Sequence, residues 1–265
     1  MSEGLDPRML LRGYAAGIFP MADSREAGDI FWVEPRSRAI IPLDRFHLSR
    51  SLSRRIRSGR FTVTRDRAFH QVLLACADRD ETWINSTIER ATLGLHAVGH
   101  AHSIECWHDG RLVGGLYGVK LGRAFFGESM FSRMTDASKV ALAWLVARLR
   151  IGHFTLLDCQ FMTPHLASLG ATTVSRDRYV GLLGTALSST GVVGGGTVSS
   201  TGTESVSAGA ASLALPPPEF EALDRLLDAR GAAGAAGPAG QLIAQLLGQT
   251  SYTESSTTLS DGLSL

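Results

Sequence analysis

The sequence predicts an α+β fold with a small N-terminal domain over residues 1–36, a larger domain over 37–185 and a low-complexity tail over 186–265. The main observation is a predicted β-meander followed by a helix, a strand, a second helix and a last strand, because helices combined with an antiparallel sheet indicate this class. The second observation is a change of composition near residue 185, after which Gly, Ser, Thr and Ala predominate. With 44% hydrophobic and 19% charged residues, the chain has the composition of an ordinary globular protein.

Four helices and two short strands are predicted in the first hundred residues. Gly17 and Pro20 end a helix predicted over Pro7–Phe19, because both residue types interrupt helices. A short strand, interrupted by Pro35, is predicted within Phe31–Leu43. The next predicted elements are a helix over Ser49–Ser58, a strand over Phe61–Thr64, and helices over Ala68–Ala77 and Ser86–Val98.

Turn residues at Asp109-Gly110 and Gly122 divide the next stretch into the three strands of the meander. These strands are predicted over Ser103–Trp107, Leu112–Leu121 and Ala124–Phe131. The elements after them are a helix over Ser138–Arg150, a buried strand over Phe154–Gln160, a short helix over Pro164–Leu169 and a strand over Thr172–Tyr179. This order resembles the GNAT-like acyltransferase architecture, a likeness of fold that does not by itself define a reaction.

The composition after Gly184 predicts a flexible linker. Gly184–Pro218 contains a single charged residue, Glu204, and so few large side chains that burial cannot offset the entropy of ordering it. Amphipathic patterns over Glu219–Arg230 and Gln241–Leu247 predict short helices that fray or dock on a partner.

Charge, cysteine content and hydropathy exclude several classes of protein. A net charge of +1 provides no global attraction to nucleic acid, so any basic surface must be local. Three cysteines without a C-x-x-C spacing exclude a disulfide scaffold and a cysteine zinc site. No apolar run approaches the roughly 18 residues of a membrane span, and the first residues do not resemble a signal peptide. We therefore expect a cytoplasmic protein with no membrane association.

Asp158 and Gln160 are the first candidates for catalysis. Residues two apart on a strand share a face, so both side chains project together if Cys159 packs on the other side. A carboxylate beside an amide could orient a nucleophile and a developing charge. The alternative is that both residues cap the next helix or a loop.

Glu128 lies between Phe126 and Met130 on the third predicted strand of the meander. Alternation places these three side chains on one face, so that two large apolar groups flank one carboxylate. A buried carboxylate is costly unless it is paired, and it must therefore meet Arg133, Lys139, a polar network or a cationic ligand. An ordinary ion pair is as plausible as a functional role.

The strongest local positive charge lies between Arg45 and Arg67, where eight arginines accompany one acidic residue. Arg50, Arg54 and Arg57 fall on one face of the predicted helix, at a spacing that suits the phosphate oxygens of nucleic acid. The alternative is an ordinary solvated helix. Trp83 could stack on a base, or it could belong to the core.

Two further kinds of site are disfavoured. His96, His100 and His102 suggest a metal site, but no H-E-x-x-H pattern exists and a third ligand would have to cross a break at Gly99–Ala101. Cys159 with His165 could form a nucleophilic pair. However, a cysteine on a buried strand usually behaves as a small apolar residue.

Several segments together resemble the leucyl/phenylalanyl-tRNA–protein transferase family. The resemblance runs in order from about residue 8 to residue 182 and does not include the tail. The segments are Gly-Ile-Phe-Pro (17–20), Thr-Trp-Ile (82–84), Gly-His-Ala-His-Ser-Ile-Glu (99–105), Gly-Gly-Leu-Tyr-Gly-Val (114–119), Phe-Phe-Gly-Glu-Ser-Met-Phe-Ser-Arg (125–133), Ala-Ser-Lys (137–139), Asp-Cys-Gln (158–160) and Ser-Leu-Gly-Ala (168–171).

The resemblance implies an enzyme that moves Leu, Phe and less readily Met from aminoacyl-tRNA to the α-amine of an N-terminal Arg or Lys. Its product is a protein marked for degradation through the N-degron pathway. The resemblance also implies a small N-terminal domain and a GNAT-like catalytic domain, no cofactor and no metal. The expected partners are Leu-tRNA, Phe-tRNA and proteins with N-terminal Arg or Lys, and a monomer is expected.

The resemblance also implies roles for individual residues. It places Gln160 and Asp158 at the reacting centre and Glu128 near the acceptor. The apolar pocket for the transferred side chain is formed by Leu116, Phe126, Met130, Leu142, Leu145 and Leu157. Contacts to tRNA are made by Trp83 at the terminal adenosine and by Tyr14, Arg50, Arg54 and Arg57 along the backbone.

Two other functions remain open. A GNAT-like acetyltransferase is disfavoured because the Q/R-x-x-G-x-G/A loop that binds acetyl-CoA is missing after the central strands. A non-catalytic RNA-binding module would rely on the arginine helix alone, and its function would not depend on Asp158 or Gln160.

Overall fold

The computed structural model of the chain describes residues 5–188 and 216–248. Helices in these ranges are α1 (Pro7–Ala15), α2 (Arg50–Arg57), α3 (Phe69–Ala77), α4 (Ser86–Ala97), α5 (Ala137–Ile151), α6 (Pro164–Ala167), α7 (Arg176–Ser188), α8 (Ala222–Ala229) and α9 (Ala236–Gly248). Strands are β1 (Phe19–Met21), β2 (Phe31–Val33), β3 (Ser37–Ile40), β4 (Thr62–Arg65), β5 (Ala101–His108), β6 (Arg111–Leu121), β7 (Ala124–Ser132), β8 (Leu156–Asp158) and β9 (Thr172–Ser175). The predicted α+β class is confirmed.

A seven-stranded mixed sheet with the order β4-β5-β6-β7-β8-β3-β9 organises the larger part of the molecule. Neighbouring strands are antiparallel except β7 and β8, which are parallel and are joined through α5. The meander predicted from Asp109-Gly110 and Gly122 is therefore confirmed as β5, β6 and β7. The strand interrupted by Pro35 is in fact two strands, because β2 pairs only with β1 in a separate hairpin.

The sheet separates two layers of apolar side chains. On one face, α5 packs with α2, α8 and α9 around residues such as Phe125 and Trp144. On the other face, α1, α3, α4 and α7 pack around residues such as Leu10 and Phe126. We name these the α5 face and the α3 face of the sheet. None of the helices within the described residues is long and apolar enough to cross a membrane.

α7 replaces part of the predicted final strand and part of the predicted linker. β9 ends at Ser175 and the next residue begins α7, so a strand as far as Tyr179 is wrong. Tyr179, Leu183 and Ala186 recur at helical spacing and are buried, which explains why this segment is a helix. The change of composition near residue 185 falls inside α7, and residues 189–215 of the predicted linker lie outside the described residues.

The two C-terminal helices pack against the α5 face of the sheet. The Phe220 ring, just before α8, lies 4.3 Å from the His102 ring and 5.5 Å from the Phe125 ring. α9 packs closely on α2, and a Cβ atom at Gly240 would lie 2.2 Å from the Ile56 carbonyl oxygen. The helices predicted over Glu219–Arg230 and Gln241–Leu247 therefore exist, and their packing contradicts the expectation that they fray, while docking on a partner stays a prediction.

Candidate active site

A cavity of about 250 Å³ opens where β7 and β8 end. Its wall contains eight of the residues predicted for the site, namely Trp83, Leu116, Glu128, Met130, Leu142, Leu145, Leu157 and Gln160. The leucines come from β6, α5 and β8 and make one side of the cavity apolar. The wall also contains Arg79, Ser129 and Phe161, which the sequence did not single out.

A β-bulge at Glu128 shapes this wall. Tyr117 on β6 pairs with Ser129, whereas the next residue, Gly118, pairs with Gly127, so Glu128 is left without a partner in the ladder. Gly118 is required here, because a Cβ atom at this position would lie 2.3 Å from the Phe126 carbonyl oxygen. The bulge brings Glu128 to the cavity and reverses the alternation of side chains beyond it.

Phe126 is consequently misplaced in the sequence-based prediction. Its ring packs on the α3 face, 4.9 Å from the Tyr14 ring, and it does not line the cavity. Met130 lies against the α5 face and does line the cavity. The prediction that Phe126, Glu128 and Met130 share one face is wrong because strict alternation assumes a strand without a bulge.

Glu128 is a buried carboxylate held by polar groups. Its Oε1 atom accepts a hydrogen bond of 3.1 Å from the Gln160 side-chain nitrogen, and the Tyr14 hydroxyl also hydrogen bonds to it. Burial raises the pKa of Glu128 from 4.5 to about 7, although the hydrogen bonds from Tyr14 and Gln160 oppose this shift. Glu128 therefore titrates near neutral pH.

The two cations predicted as partners of Glu128 form ion pairs elsewhere. The Arg133 guanidinium lies 3.4 Å from Asp78, and the Lys139 ammonium lies 3.7 Å from Asp136. Over residues 5–188 and 216–248, no cation forms a salt bridge with Glu128. Of the predicted possibilities for this carboxylate, the polar network is the one present.

Gln160 has a fixed orientation at the edge of the cavity. Its backbone is left-handed, with φ of 61°, just beyond the end of β8, and its carbonyl oxygen accepts a hydrogen bond of 3.0 Å from the Ala39 N–H of β3. Its backbone N–H donates a hydrogen bond of 2.8 Å to Asp158 Oδ1. Because the amide nitrogen donates to Glu128, the amide oxygen Oε1 is left as the acceptor for a ligand.

Asp158 is fully buried and paired, and it does not line the cavity. Arg38 donates to both of its oxygens, with an Nη2–Oδ2 distance of 2.6 Å, and the Tyr179 hydroxyl donates to Oδ2 at 2.8 Å. The guanidinium is held between the rings of Phe19 and Tyr179, at 4.5 and 4.6 Å from their centroids. Asp158 and Gln160 are thus adjacent as predicted, but Asp158 acts on the backbone of Gln160 and cannot reach a ligand directly.

Arg38 and Tyr179 were missed by the sequence reasoning. Arg38 immediately precedes Ala39 and Ile40 in β3, and an arginine in an apolar strand is a signal that it has a buried anionic partner. The role of Tyr179 could not be predicted, because the sequence pattern predicts a strand over its segment.

The predicted tRNA-binding residues do not all lie at the surface. Tyr14 is only 2% exposed and contacts Glu128 and Phe126, so its assignment to the tRNA surface is wrong. Arg50, Arg54 and Arg57 are exposed on α2, and within the described residues none of the three forms an ion pair.

The disfavoured nucleophile and metal sites gain no support. Cys159 and His165 both line the cavity, but burial raises the pKa of the Cys159 thiol far above its ordinary range, which disfavours the reactive thiolate. His102 hydrogen bonds to Asp66 at 2.7 Å. In the part of the chain that the structure describes, no three His, Cys, Asp or Glu side chains come together as metal ligands.

Comparison with known proteins identifies the family. A sequence model described as leucyl/phenylalanyl-tRNA protein transferase matches residues 40–184, which is more than half of the chain. A second model, described as the N-terminal domain of the same transferase, matches residues 3–36. The chain belongs to this family. The predicted membership and the expectation of an aminoacyltransferase of this kind are confirmed.

Individual relatives agree with this membership. A leucyl/phenylalanyl-tRNA–protein transferase from Rhizorhabdus wittichii is 59% identical over 255 residues, which cover 94% of this chain and 100% of the relative. One from Zymomonas mobilis is 61% identical over 71% of this chain and 72% of its own length. One from Cereibacter sphaeroides is 64% identical over 69% of this chain and 86% of its own length.

Among solved structures, L-PGS from Bacillus licheniformis aligns with 62% of this chain and 56% of its own, with 14% identity and a TM-score of 0.35. This similarity is too low to support a conclusion about the fold, so the GNAT-like architecture of the catalytic domain stays a prediction.

Proposed function

We propose that the protein transfers Leu or Phe, and less readily Met, from aminoacyl-tRNA to the α-amine of proteins that begin with Arg or Lys. The observation that carries the proposal is the fixed amide of Gln160 at the edge of an apolar cavity. Gln160 lines a pocket of the right chemistry for an apolar side chain, and Oε1 is the atom of its amide that can accept from a ligand. The modified proteins would then be degraded through the N-degron pathway.

The apolar wall supports binding of the transferred side chain. Leu142 and Leu145 of α5 line the cavity together with three other apolar side chains, those of Leu116, Met130 and Leu157. Burying a Leu or Phe side chain from water stabilises a complex by about 1.5–3 kcal/mol. A charged aminoacyl side chain placed against these five apolar side chains would lose its hydration without gaining a polar partner from them, which would disfavour aminoacyl groups of that kind.

The reaction requires aminolysis of an ester that is already reactive. The amine nitrogen bonds to the ester carbonyl carbon, the carbon–oxygen bond to the terminal ribose breaks, and the tRNA leaves with a hydroxyl. Gln160 Oε1 accepts a hydrogen bond from the attacking amine and aligns it. Positioning of this kind can contribute effective molarities of about 10⁵ M or more. Because an amide is a very weak base, the proton passes to a ribose hydroxyl or to water.

Glu128 supports the preference for a cationic acceptor. It is buried, titrates near pH 7 and, among residues 5–188 and 216–248, forms no ion pair. An acceptor whose first residue is Arg or Lys brings a positive charge that would favour the ionised form of this carboxylate. Ionised Glu128 in turn accepts from the Gln160 amide nitrogen and keeps Oε1 directed at the amine.

The tRNA would lie along the surface that includes Trp83 and α2. Trp83 is half-buried in the cavity wall, where it could stack on the terminal adenine. The exposed guanidinium groups of Arg50, Arg54 and Arg57 would bind backbone phosphates. Since one chain supplies every group named here, we propose that a monomer acts in the cytoplasm, where aminoacyl-tRNA is available.

The experiment that tests this proposal measures transfer of labelled Leu from Leu-tRNA to peptides that differ only at their first residue. Peptides that begin with Arg or Lys should accept Leu, and those that begin with Ala or Asp should not. Equal transfer to Ala and Arg peptides would refute the acceptor specificity. The absence of transfer to any peptide, or dependence on acetyl-CoA as donor, would refute the proposed reaction.

A further inference from the structure

Arg79 occupies the rim of the cavity, in the loop between α3 and α4. Its Nη2 atom donates hydrogen bonds of 2.9 Å to Ser129 Oγ and 3.1 Å to the Met130 carbonyl oxygen. Both partners follow the bulge in β7 and belong to the cavity wall, as Arg79 itself does. The side chain is exposed to solvent, yet these two hydrogen bonds hold its guanidinium at a cavity that Trp83 also lines.

The charge of Arg79 is not neutralised by its neighbours. Asp78, Asp80 and Glu81 lie on the same loop, but Asp78 pairs with Arg133 and no carboxylate of the described residues forms a salt bridge with Arg79. Its two partners are a hydroxyl and a carbonyl, both neutral, and both use Nη2. Nε and Nη1 are therefore available to bind an anion, and a guanidinium fork matches the oxygens of a phosphate.

We propose that Arg79 binds the phosphodiester that joins the last two nucleotides of the aminoacyl-tRNA. This inference rests on the proposed function. Arg79 and Trp83 line the same cavity and Arg79 is exposed to solvent, so a strand whose terminal adenine lies at Trp83 would leave the cavity past Arg79. Of the phosphates in the strand, the one nearest the ester would then lie closest to this guanidinium. Contact with it orients the ester towards Gln160 whichever amino acid is carried.

A purely structural role for Arg79 makes a different prediction. The two hydrogen bonds to β7 could merely stabilise the bulge at Glu128. In that case a substitution of Arg79 would disturb the site for every donor substrate, including donors that lack a phosphate. A role in phosphate binding affects only those donors in which the phosphate is present.

The test uses three leucyl donors of increasing size with one Arg-initiated acceptor peptide. They are leucyl-adenosine, which has no phosphate, leucyl cytidylyl-adenosine, which has only the phosphodiester in question, and Leu-tRNA. We expect Arg79→Gln to lower kcat/KM by about 10- to 100-fold for both donors that contain the phosphodiester, the range for a lost hydrogen bond to a charged group. The rate with leucyl-adenosine should be the same as in the wild type.

Two further variants complete the design. Arg79→Lys keeps the charge but not the fork, and it should recover part of the loss with the two larger donors. Arg133→Gln is the matched control, since Arg133 is an exposed arginine of the neighbouring surface that does not line this cavity. This control should not distinguish between the three donors.

The outcomes separate the inference from the proposed function. An equal loss for all three donors would overturn phosphate binding in favour of a structural role, and no loss for any donor would also overturn it. A loss with Leu-tRNA but not with leucyl cytidylyl-adenosine would mean that Arg79 binds a different phosphate. If the wild type uses none of the donors, the proposed function itself fails.

Discussion

The C-terminal helices should contribute directly to the stability of the catalytic domain, and Asp224→Ala tests this. Arg148 of α5 is buried, with only 3% of its side chain exposed, and its Nη1 atom donates to Asp224 Oδ2 at 2.8 Å. A second hydrogen bond from Nη2 to Oδ1 makes the contact bidentate, and Nη1 also donates to the Phe220 carbonyl oxygen. Asp224 is therefore the carboxylate that neutralises a cation within the core layer.

The size of the effect follows from the burial of the two partners. Breaking a buried ion pair by removal of one partner costs about 3–5 kcal/mol, because the other charge remains buried. Asp224 is 35% exposed, so water can reach the vacated site, and Arg148 keeps the Phe220 carbonyl. We therefore expect a loss near the lower end, about 3 kcal/mol, or about 6–12 °C in Tm for a domain of this size.

A double-mutant cycle with Arg148→Met measures the coupling. Urea unfolding followed by tryptophan fluorescence is suitable, because Trp144 lies on the same helix as Arg148. Arg148→Met removes the buried cation, so the further substitution Asp224→Ala should then cost only the hydrogen bond of 2.9 Å that Asp224 Oδ2 also accepts from the partly exposed Arg65. A coupling energy of about 2 kcal/mol is expected. If the two single effects add to within about 0.5 kcal/mol, the pair does not stabilise the protein and the reasoning is refuted.

The remaining predictions concern the site and its tRNA surface. Gln160→Ala should lower kcat by about 100-fold with a smaller change in KM, in steady-state transfer assays, because it removes one positioned hydrogen bond. An unchanged kcat would make Gln160 structural only. Replacement of Arg50, Arg54 and Arg57 by Ala should weaken Leu-tRNA and Phe-tRNA binding alike and flatten the plot of log affinity against log salt by about two to three units. Unchanged affinity and slope would place the tRNA elsewhere. Since folding raises the pKa of Glu128 from 4.5 to about 7, its contribution to stability is present at low pH and lost as pH rises through 7. Between about pH 4 and pH 8, the free energy of unfolding of the wild type should therefore fall by about 3 kcal/mol relative to that of Glu128→Gln. Parallel pH profiles of the two proteins would contradict this.

Features set by local chemistry could be predicted from the sequence. The turns at Asp109-Gly110 and Gly122 define the meander because they favour tight turns wherever they occur between strands. Leu142 and Leu145 were assigned to the pocket through the family resemblance, and both line the cavity. Their spacing of three residues keeps them on one face of α5.

Features that depend on pairing between distant segments could not be predicted. Arg38 and Asp158 are 120 residues apart, and no local pattern reveals that they meet. The bulge at Glu128 shifts the register by one residue, which is enough to send Phe126 and Met130 to opposite faces of the sheet. The periodicity of the sequence does not indicate such a shift of register. For this reason Phe126 was wrongly assigned to the predicted pocket.

The backbone of Gln160 has a consequence for the evolution of this site. A left-handed φ of 61° suits Gly or Asn, and any other side chain there is held against a conformational preference of about 1 kcal/mol or more. Variants selected only for resistance to heat would therefore tend to acquire Gly or Asn at this position. Gly lacks the amide oxygen, and Asn carries it on a side chain shorter by one methylene group. Variants of residue 160 selected for thermostability should therefore carry different residues from variants selected for aminoacyl transfer. Such a difference would show that activity and stability favour different residues at this position.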